Sequence, residues 1–298
     1  MPAPAILAYF ARPNAFTQSA ALEWICAQLG PAPEDAFAFL KSILIHPVDA
    51  RRAKVRFDRS RLGLEHALHS TADSILSDPR LAPWLRERRL PVATRPGERL
   101  VLSCDHHALL YTALRRHAAA PVRTRTGFVT YIVPGARVPH WLCEAWDARE
   151  GRWRFVDPER RRVAIGPETV ALAGACWLSA RWGQRDPPPS YSGLSRLNGL
   201  KYALLCDVNA LFKNELLGYE WRVRSFRRPK PDAVRRGYAR LSAEQLARLD
   251  RLAELSQAPD DALPELWEHY ARLVPTGSMR CPDPPPGVVP PDRGAPSR

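Results

Sequence analysis

Three separated residues carry the chemical content of this sequence: Cys104 in SCDHHALLYTALRRH (103–117), His140 in PHWLCEAWD (139–147) and Asp157 in RWRFVDPE (152–159). A thiol attacks as its thiolate, with an unperturbed pKa of about 8.5, and a helix N-terminus or a neighbouring imidazolium lowers that value. Histidine titrates near neutrality, so it can take the thiol proton and return it to a leaving group. An aspartate bonded to the ring holds its tautomer and orientation. The chemistry this combination supports is attack of sulfur on an acyl carbon, giving an acyl-thioester that water or an amine resolves. An oxyanion formed on the way needs two donors; the backbone N–H of Cys104 offers one, and the sequence does not identify the second.

These residues need elements to position them. From Cys104 to His117, Leu110, Ala113, Leu114 and His117 recur at helical spacing, which predicts a helix with the thiol in its first turn. Val122–Val133 is rich in Thr, Val, Phe and Tyr; His140–Asp147 and Arg152–Asp157 alternate on either side of a polar turn at Gly151, as strands of a hairpin do. Pairing in which residue numbers sum to 297 sets His140 opposite Asp157, and a sum of 299 makes them diagonal neighbours on one face. An even sum would turn Asp157 to the other face. Helix followed by strands predicts an α+β core.

The order of these segments resembles the transglutaminase-like superfamily, over about residues 98–160 with the intervening RTRTGFVTYIVPG included. In that family a cysteine opens a helix, a histidine opens a following strand, and an aspartate stands on the next strand just before a proline. The resemblance implies a papain-like, transglutaminase-like core, with the nucleophile helix packed on an antiparallel sheet and helices flanking it on both sides. It assigns Cys104 as nucleophile, His140 as general base and acid, and Asp157 as the orienting group. It also implies an acyl donor and an amine or water acceptor as substrates: amide formation or transfer, as in peptide natural-product biosynthesis, or hydrolysis by a peptidase or amidase. Near the site, Arg123, Arg125 and Tyr131 alternate along a strand and could hold a substrate carboxylate. Trp141 could wall a substrate channel.

Around this core the sequence reads as helical. Residues 1–95 form an N-terminal helical region with helices near 17–30, 33–45 and 62–76, residues 96–165 the catalytic core, and residues 166–274 a C-terminal helical region with helices near 167–183, 198–217, 242–257 and 261–273. The Pro-rich residues 275–298 are expected to be disordered.

Composition narrows the alternatives. The six cysteines include no Cys-x-x-Cys pair, which argues against a zinc knuckle or a disulfide scaffold; Cys26, Cys143, Cys176 and Cys206 read as small inert core residues. Glu65-His66-x-x-His69 places two histidines on one helical face, but no third ligand follows, so neither a metal nor a cofactor is expected. No run of 18 apolar residues and no basic leader are visible, and the expectation is a cytoplasmic protein with reduced thiols and no membrane partner. The formal charge of +13 comes almost wholly from arginine. Clusters at Arg86, Arg88 and Arg89, at Arg115, Arg116, Arg123 and Arg125, and at Arg160–Arg162 could rim the site and attract an acidic carrier protein or an aminoacyl-tRNA. The competing reading is a basic nucleic-acid-binding protein, or a relative of the fold without catalysis, resting on Arg160–Arg162 and Arg222–Arg240; those runs lack interleaved aromatics.

Overall fold

The computed structural model describes residues 1–57, 66, 68–92, 94–183, 196–215, 241–273 and 283–288. The N-terminal part supplies α1 (Pro4–Ala11), α2 (Ala21–Gln28) and α3 (Pro33–Ile43), the short strand β1 (Leu44–Ile45), and α4 (Pro47–Arg52), α5 (Ala72–Leu76) and α6 (Ala82–Glu87). The strand β2 (Leu100–Val101) then leads into α7 (Cys104–His117), the helix expected from the spacing of its apolar residues. Next come β3 (Val122–Val129), β4 (Val138–Asp147), β5 (Arg152–Asp157), β6 (Arg162–Ile165) and β7 (Val170–Leu172). The described C-terminal helices are α8 (Ala173–Arg181), α9 (Arg196–Leu211), α10 (Ala243–Leu255) and α11 (Leu263–Leu273). The chain is therefore of mixed α+β class. Where the sequence predicts one helix over 167–183, a 3-10 turn at Pro167–Thr169 and β7 come first, because Val170–Leu172 completes the sheet beside β3.

Five antiparallel strands lie in the order β6-β5-β4-β3-β7. The β4–β5 hairpin pairs Cys143 with Val156 and Glu144 with Phe155, the odd register with the sum of 299. Gly127 stands opposite His140 on β4 and Leu172 on β7. A Cβ there would fall 2.5 Å from the carbonyl oxygen of Ala171, so the close approach of β7 requires glycine.

Helix α7 is held between the sheet and the N-terminal helices. It packs on β3 and β4, with α1, α2 and α3 against it. Its apolar side chains Leu109, Leu110, Ala113 and Leu114 are buried, and each such burial contributes about 1.5–3 kcal/mol for the larger residues. Toward the sheet the contacts are small and polar: Thr112 Oγ1 lies 3.1 Å from Thr124 Oγ1, and the Cys143 thiol donates to the Ala108 carbonyl at 3.7 Å. Cys143, Cys176 and Cys206 are buried, and burial pushes Cys143 up to about 12 and Cys176 to about 11.

On β3, α8 and α9 also pack. Charge fills part of this layer. Arg125 donates to both Asp207 carboxylate oxygens at 2.9 Å and to Glu144 Oε2 at 2.7 Å. Arg123 Nε meets the same Glu144 oxygen at 2.6 Å, pairs with Asp260, and lies 4.2 Å from the centroid of the Trp153 ring. Every guanidinium here is matched by carboxylates, which is what allows charge in a buried layer.

In the tail expected to be disordered, residues 283–288 are tied to the body. Tyr9 Oη donates to the Asp283 carbonyl at 2.8 Å, Lys213 Nζ bonds Asp283 Oδ2 at 2.7 Å, and Val288 packs on the core. The rest of that tail, the Asp186–Tyr191 segment and Arg222–Arg240 lie outside the described residues. Among the described residues no helix is long and apolar enough to cross a membrane.

Candidate active site

Cys104 is the first residue of α7, where backbone N–H groups have no intrahelical acceptor and the helix dipole favours negative charge. The turn is braced from behind by a buried polar knot. Ser103 Oγ donates to Asp105 Oδ1; Asp105 accepts the His106 ring at 2.9 Å, and His106 Nε2 donates to the His66 carbonyl at 3.2 Å. Burial alone would raise the Asp105 carboxyl, but its contacts with His106 outweigh this and hold it well below its usual range.

His140 and Asp157 meet this helix start from the sheet. His140 Nε2 donates to Asp157 Oδ2 at 2.8 Å, with both residues buried. That leaves Nδ1 unused by Asp157, and the ring and the Cys104 thiol act on each other's protonation. Asp157 is held from two further directions: Tyr131 Oη donates to Oδ2 at 2.9 Å, and the Arg160 backbone N–H donates to Oδ1 at 2.9 Å.

Burial would keep the His140 ring neutral, but the Asp157 carboxylate and the bond to it outweigh burial and hold the ring well above its usual range. Asp157 stays below its usual range, since the His140 charge overcomes its own burial. Cys104 departs from the sequence expectation. It is half-buried, burial pushes the thiol up, and the bond and charge of His140 only partly offset this. A helix N-terminus and an imidazole lower a thiol that keeps its water; here the partial loss of water outweighs both.

Of the other anticipated site residues, Tyr131 reaches the site but binds Asp157, and its ring carries the Arg162 guanidinium at 4.6 Å. Arg123 and Arg125 are spent on Glu144, Asp207 and Asp260, so they hold no substrate group. Trp141 is 3% exposed and packs in the hydrophobic core, on the opposite face of its strand from His140. His66 and His69 are each engaged by other groups: His66 Nε2 donates to the Val101 carbonyl at 3.2 Å, and His69 Nε2 lies 2.8 Å from Asp78 Oδ2.

Two residues not anticipated, His46 and Glu159, border the thiol, and His107 lines the cleft beside them. The parallel pairing of Ile45 with Val101 sets His46, the next residue, beside the chain leading to Cys104, and Leu102 N–H donates to the Ile45 carbonyl at 3.1 Å. Glu159 Oε2 is 3.9 Å from His140 Nδ1. His107 Nδ1 donates to the Ser103 carbonyl at 3.0 Å, and burial takes its pKa down to about 4. A ring nitrogen of His46, the Cys104 sulfur and a Glu159 carboxylate oxygen lie within 4.8 Å of one another, a set that could by its donor types hold a metal ion. His107 and Glu159 had a faint signal in the sequence, lying three and two residues from Cys104 and Asp157. His46 had none.

A cleft of about 370 Å³ opens here, lined by His46, His107 and Glu159 and by the cations Lys41, Arg99, Arg160 and Arg161. Only the third arginine cluster thus borders it: Arg116 joins Arg123 and Arg125 in buried ion pairs, here with Glu215, and Arg86 and Arg88 belong to α6 and its cap. No family model matches the chain, and neither does any curated protein or solved structure.

Proposed function

We propose that the chain is a transglutaminase-like cysteine acyltransferase or amidohydrolase, with a papain-like arrangement of nucleophile helix and antiparallel sheet. The observation that carries this reading is the His140 ring, bonded through Nε2 to Asp157 and electrostatically coupled to the thiol at the start of α7. In the first half-reaction the neutral form of His140, unprotonated at Nδ1, takes the thiol proton, Asp157 favouring the transfer by making the ring more basic, and the sulfur bonds the acyl carbon of an amide or thioester. The bond to the leaving group then breaks, and the leaving group departs with the proton from His140. In the second, an amine or water gives its proton to His140 and bonds the acyl carbon, and the carbon–sulfur bond breaks. The thiol is restored. Asp157 stabilises the imidazolium in both halves without taking its proton.

Lys41, Arg99 and Arg161 around the cleft, where Arg160 is taken up by Glu159 and Asp49, favour an acyl donor that carries negative charge, as on an acidic carrier protein or an aminoacyl-tRNA. The test is mass spectrometry of the intact protein after incubation with acyl thioesters. A single acyl adduct on Cys104, lost on addition of hydroxylamine or an amine, is expected. Absence of any adduct across neutral and anionic donors, with Cys104 still alkylated by iodoacetamide, would overturn the reading.

A further inference from the structure

Attack on an acyl carbon creates an oxyanion, and Cys104 N–H at the first position of α7 can supply one donor to it. We infer that His46 supplies the second, through Nε2–H, an assignment that rests on the acyl-transfer reading of the Cys104 site.

The argument begins with the tautomer. His46 is the N-cap of α4, and its Nδ1 accepts a hydrogen bond from the Val48 backbone N–H at 3.2 Å. An Nδ1 that accepts is unprotonated, so the neutral ring carries its hydrogen on Nε2. Burial, reinforced by the nearby His107 and His140, takes the ring down to about 3, so it is neutral throughout the working range. Nδ1 is turned back onto its own helix. Among the described residues, Nε2–H meets no hydrogen-bond acceptor and is the donor left over.

Position agrees with chemistry. A donor about 3 Å from an oxyanion, itself bonded to the carbon that sulfur has attacked, falls about 3.5–5 Å from that sulfur. One of the two His46 ring nitrogens lies within 4.8 Å of the Cys104 sulfur, and Nδ1 is the one taken by Val48. The ring borders the cleft rather than the core, so an acyl group entering there meets it. It is also fixed before substrate arrives, since β1 is paired to β2 and Nδ1 is pinned by Val48. Preorganisation of this kind is what makes a donor effective in catalysis.

The same tautomer weighs against metal binding by His46, Cys104 and Glu159. A ligating Nε2 must lose its hydrogen, and with Nδ1 already accepting from Val48 the ring would have to become imidazolate or abandon its cap. Glu159, at the same corner, is ion-paired with Arg160 at 3.0 Å, so its charge is matched rather than turned on the reacting carbonyl.

The test compares two reactions of one thiol: acylation by phenyl thioacetate, which passes through an oxyanion, and alkylation by iodoacetamide, which does not. His46→Phe keeps an aromatic ring and removes the donor; His46→Gln keeps an N–H of similar reach. Acylation of Cys104 in His46→Phe should be about 10²–10³ slower than in the unaltered protein. Alkylation should change less than about threefold, and His46→Gln should recover at least about tenfold of the acylation loss. Equal slowing of both reactions in both variants, or acylation unchanged in His46→Phe, would overturn the assignment. If the unaltered protein is alkylated at Cys104 yet never acylated, the acyl-transfer reading itself fails, whereas normal acylation with an indifferent His46 removes this inference alone.

Discussion

His140 Nε2 and Tyr131 Oη donate to the same oxygen of Asp157, at 2.8 and 2.9 Å. The carboxylate is thereby fixed on two sides before it orients the imidazole. Tyr131→Phe should leave KM near its normal value and lower kcat by up to about tenfold, the scale of one hydrogen bond to a charged group. Asp157→Asn should lower kcat by about 10⁴, because an amide can present its N–H and stabilise the wrong tautomer. Steady-state kinetics of the two variants check this; a Tyr131→Phe loss as large as that of Asp157→Asn would make the tyrosine more than a positioning residue.

Cys104→Ala should abolish turnover and leave the fold intact, since the side chain is small and only half-buried. Iodoacetamide should reach Cys104 before the buried Cys143, Cys176 and Cys206 at neutral pH. Because burial raises the thiol, the labelling rate should climb with pH and still be climbing above about 8.5, the ordinary thiol value. A flat profile from pH 6 to 9 would mean a preformed thiolate instead.

The ion-pair layer makes a separate prediction about stability. Arg123 and Arg125 overcome the burial of Glu144 and take its pKa down to about 2, against about 4.3 in an unfolded chain. A depressed carboxyl stabilises the fold above its unfolded value. That contribution, on the order of 3 kcal/mol, is complete above about pH 5 and is lost as pH falls toward 2. Glu144→Ala should cost about 3–5 kcal/mol at pH 7, since it strands buried guanidinium charge, and urea unfolding of the variant should be less sensitive to acid than that of the unaltered protein. Parallel acid profiles for the two would refute this account.

The cations lining the cleft predict salt dependence. The specificity constant for a donor on an acidic carrier should fall as ionic strength rises past about 0.15 M, where the Debye length drops below about 8 Å. A small uncharged thioester should show a flat profile. Lys41→Ala with Arg161→Ala should flatten the carrier profile, while Arg86→Ala with Arg89→Ala, on and beside α6, should not. Identical profiles for both donors would leave the cleft charge without a role in recognition.

Much of the core was legible without tertiary information. Helix α7 runs from Cys104 to His117 as its apolar spacing predicts, and β4 and β5 pair in an odd register that puts His140 and Asp157 within bonding distance. Both are local properties: helical and strand periodicity declare themselves within a dozen residues, and a short turn leaves a hairpin few registers. The residue types Cys, His and Asp, in that order, are also what suggested the chemistry proposed for the site. What the tertiary structure decided depends on groups far apart in the chain. His46 stands beside Cys104 because two-residue strands at 44–45 and 100–101 pair, too short to leave a periodic pattern. Arg123 and Arg125 look free on a strand and are consumed by Asp207 and Asp260, which arrive on the C-terminal part of the chain. The thiol rises rather than falls because desolvation is a property of the whole packed environment, summed over every element that excludes water from Cys104, and no segment of sequence carries it.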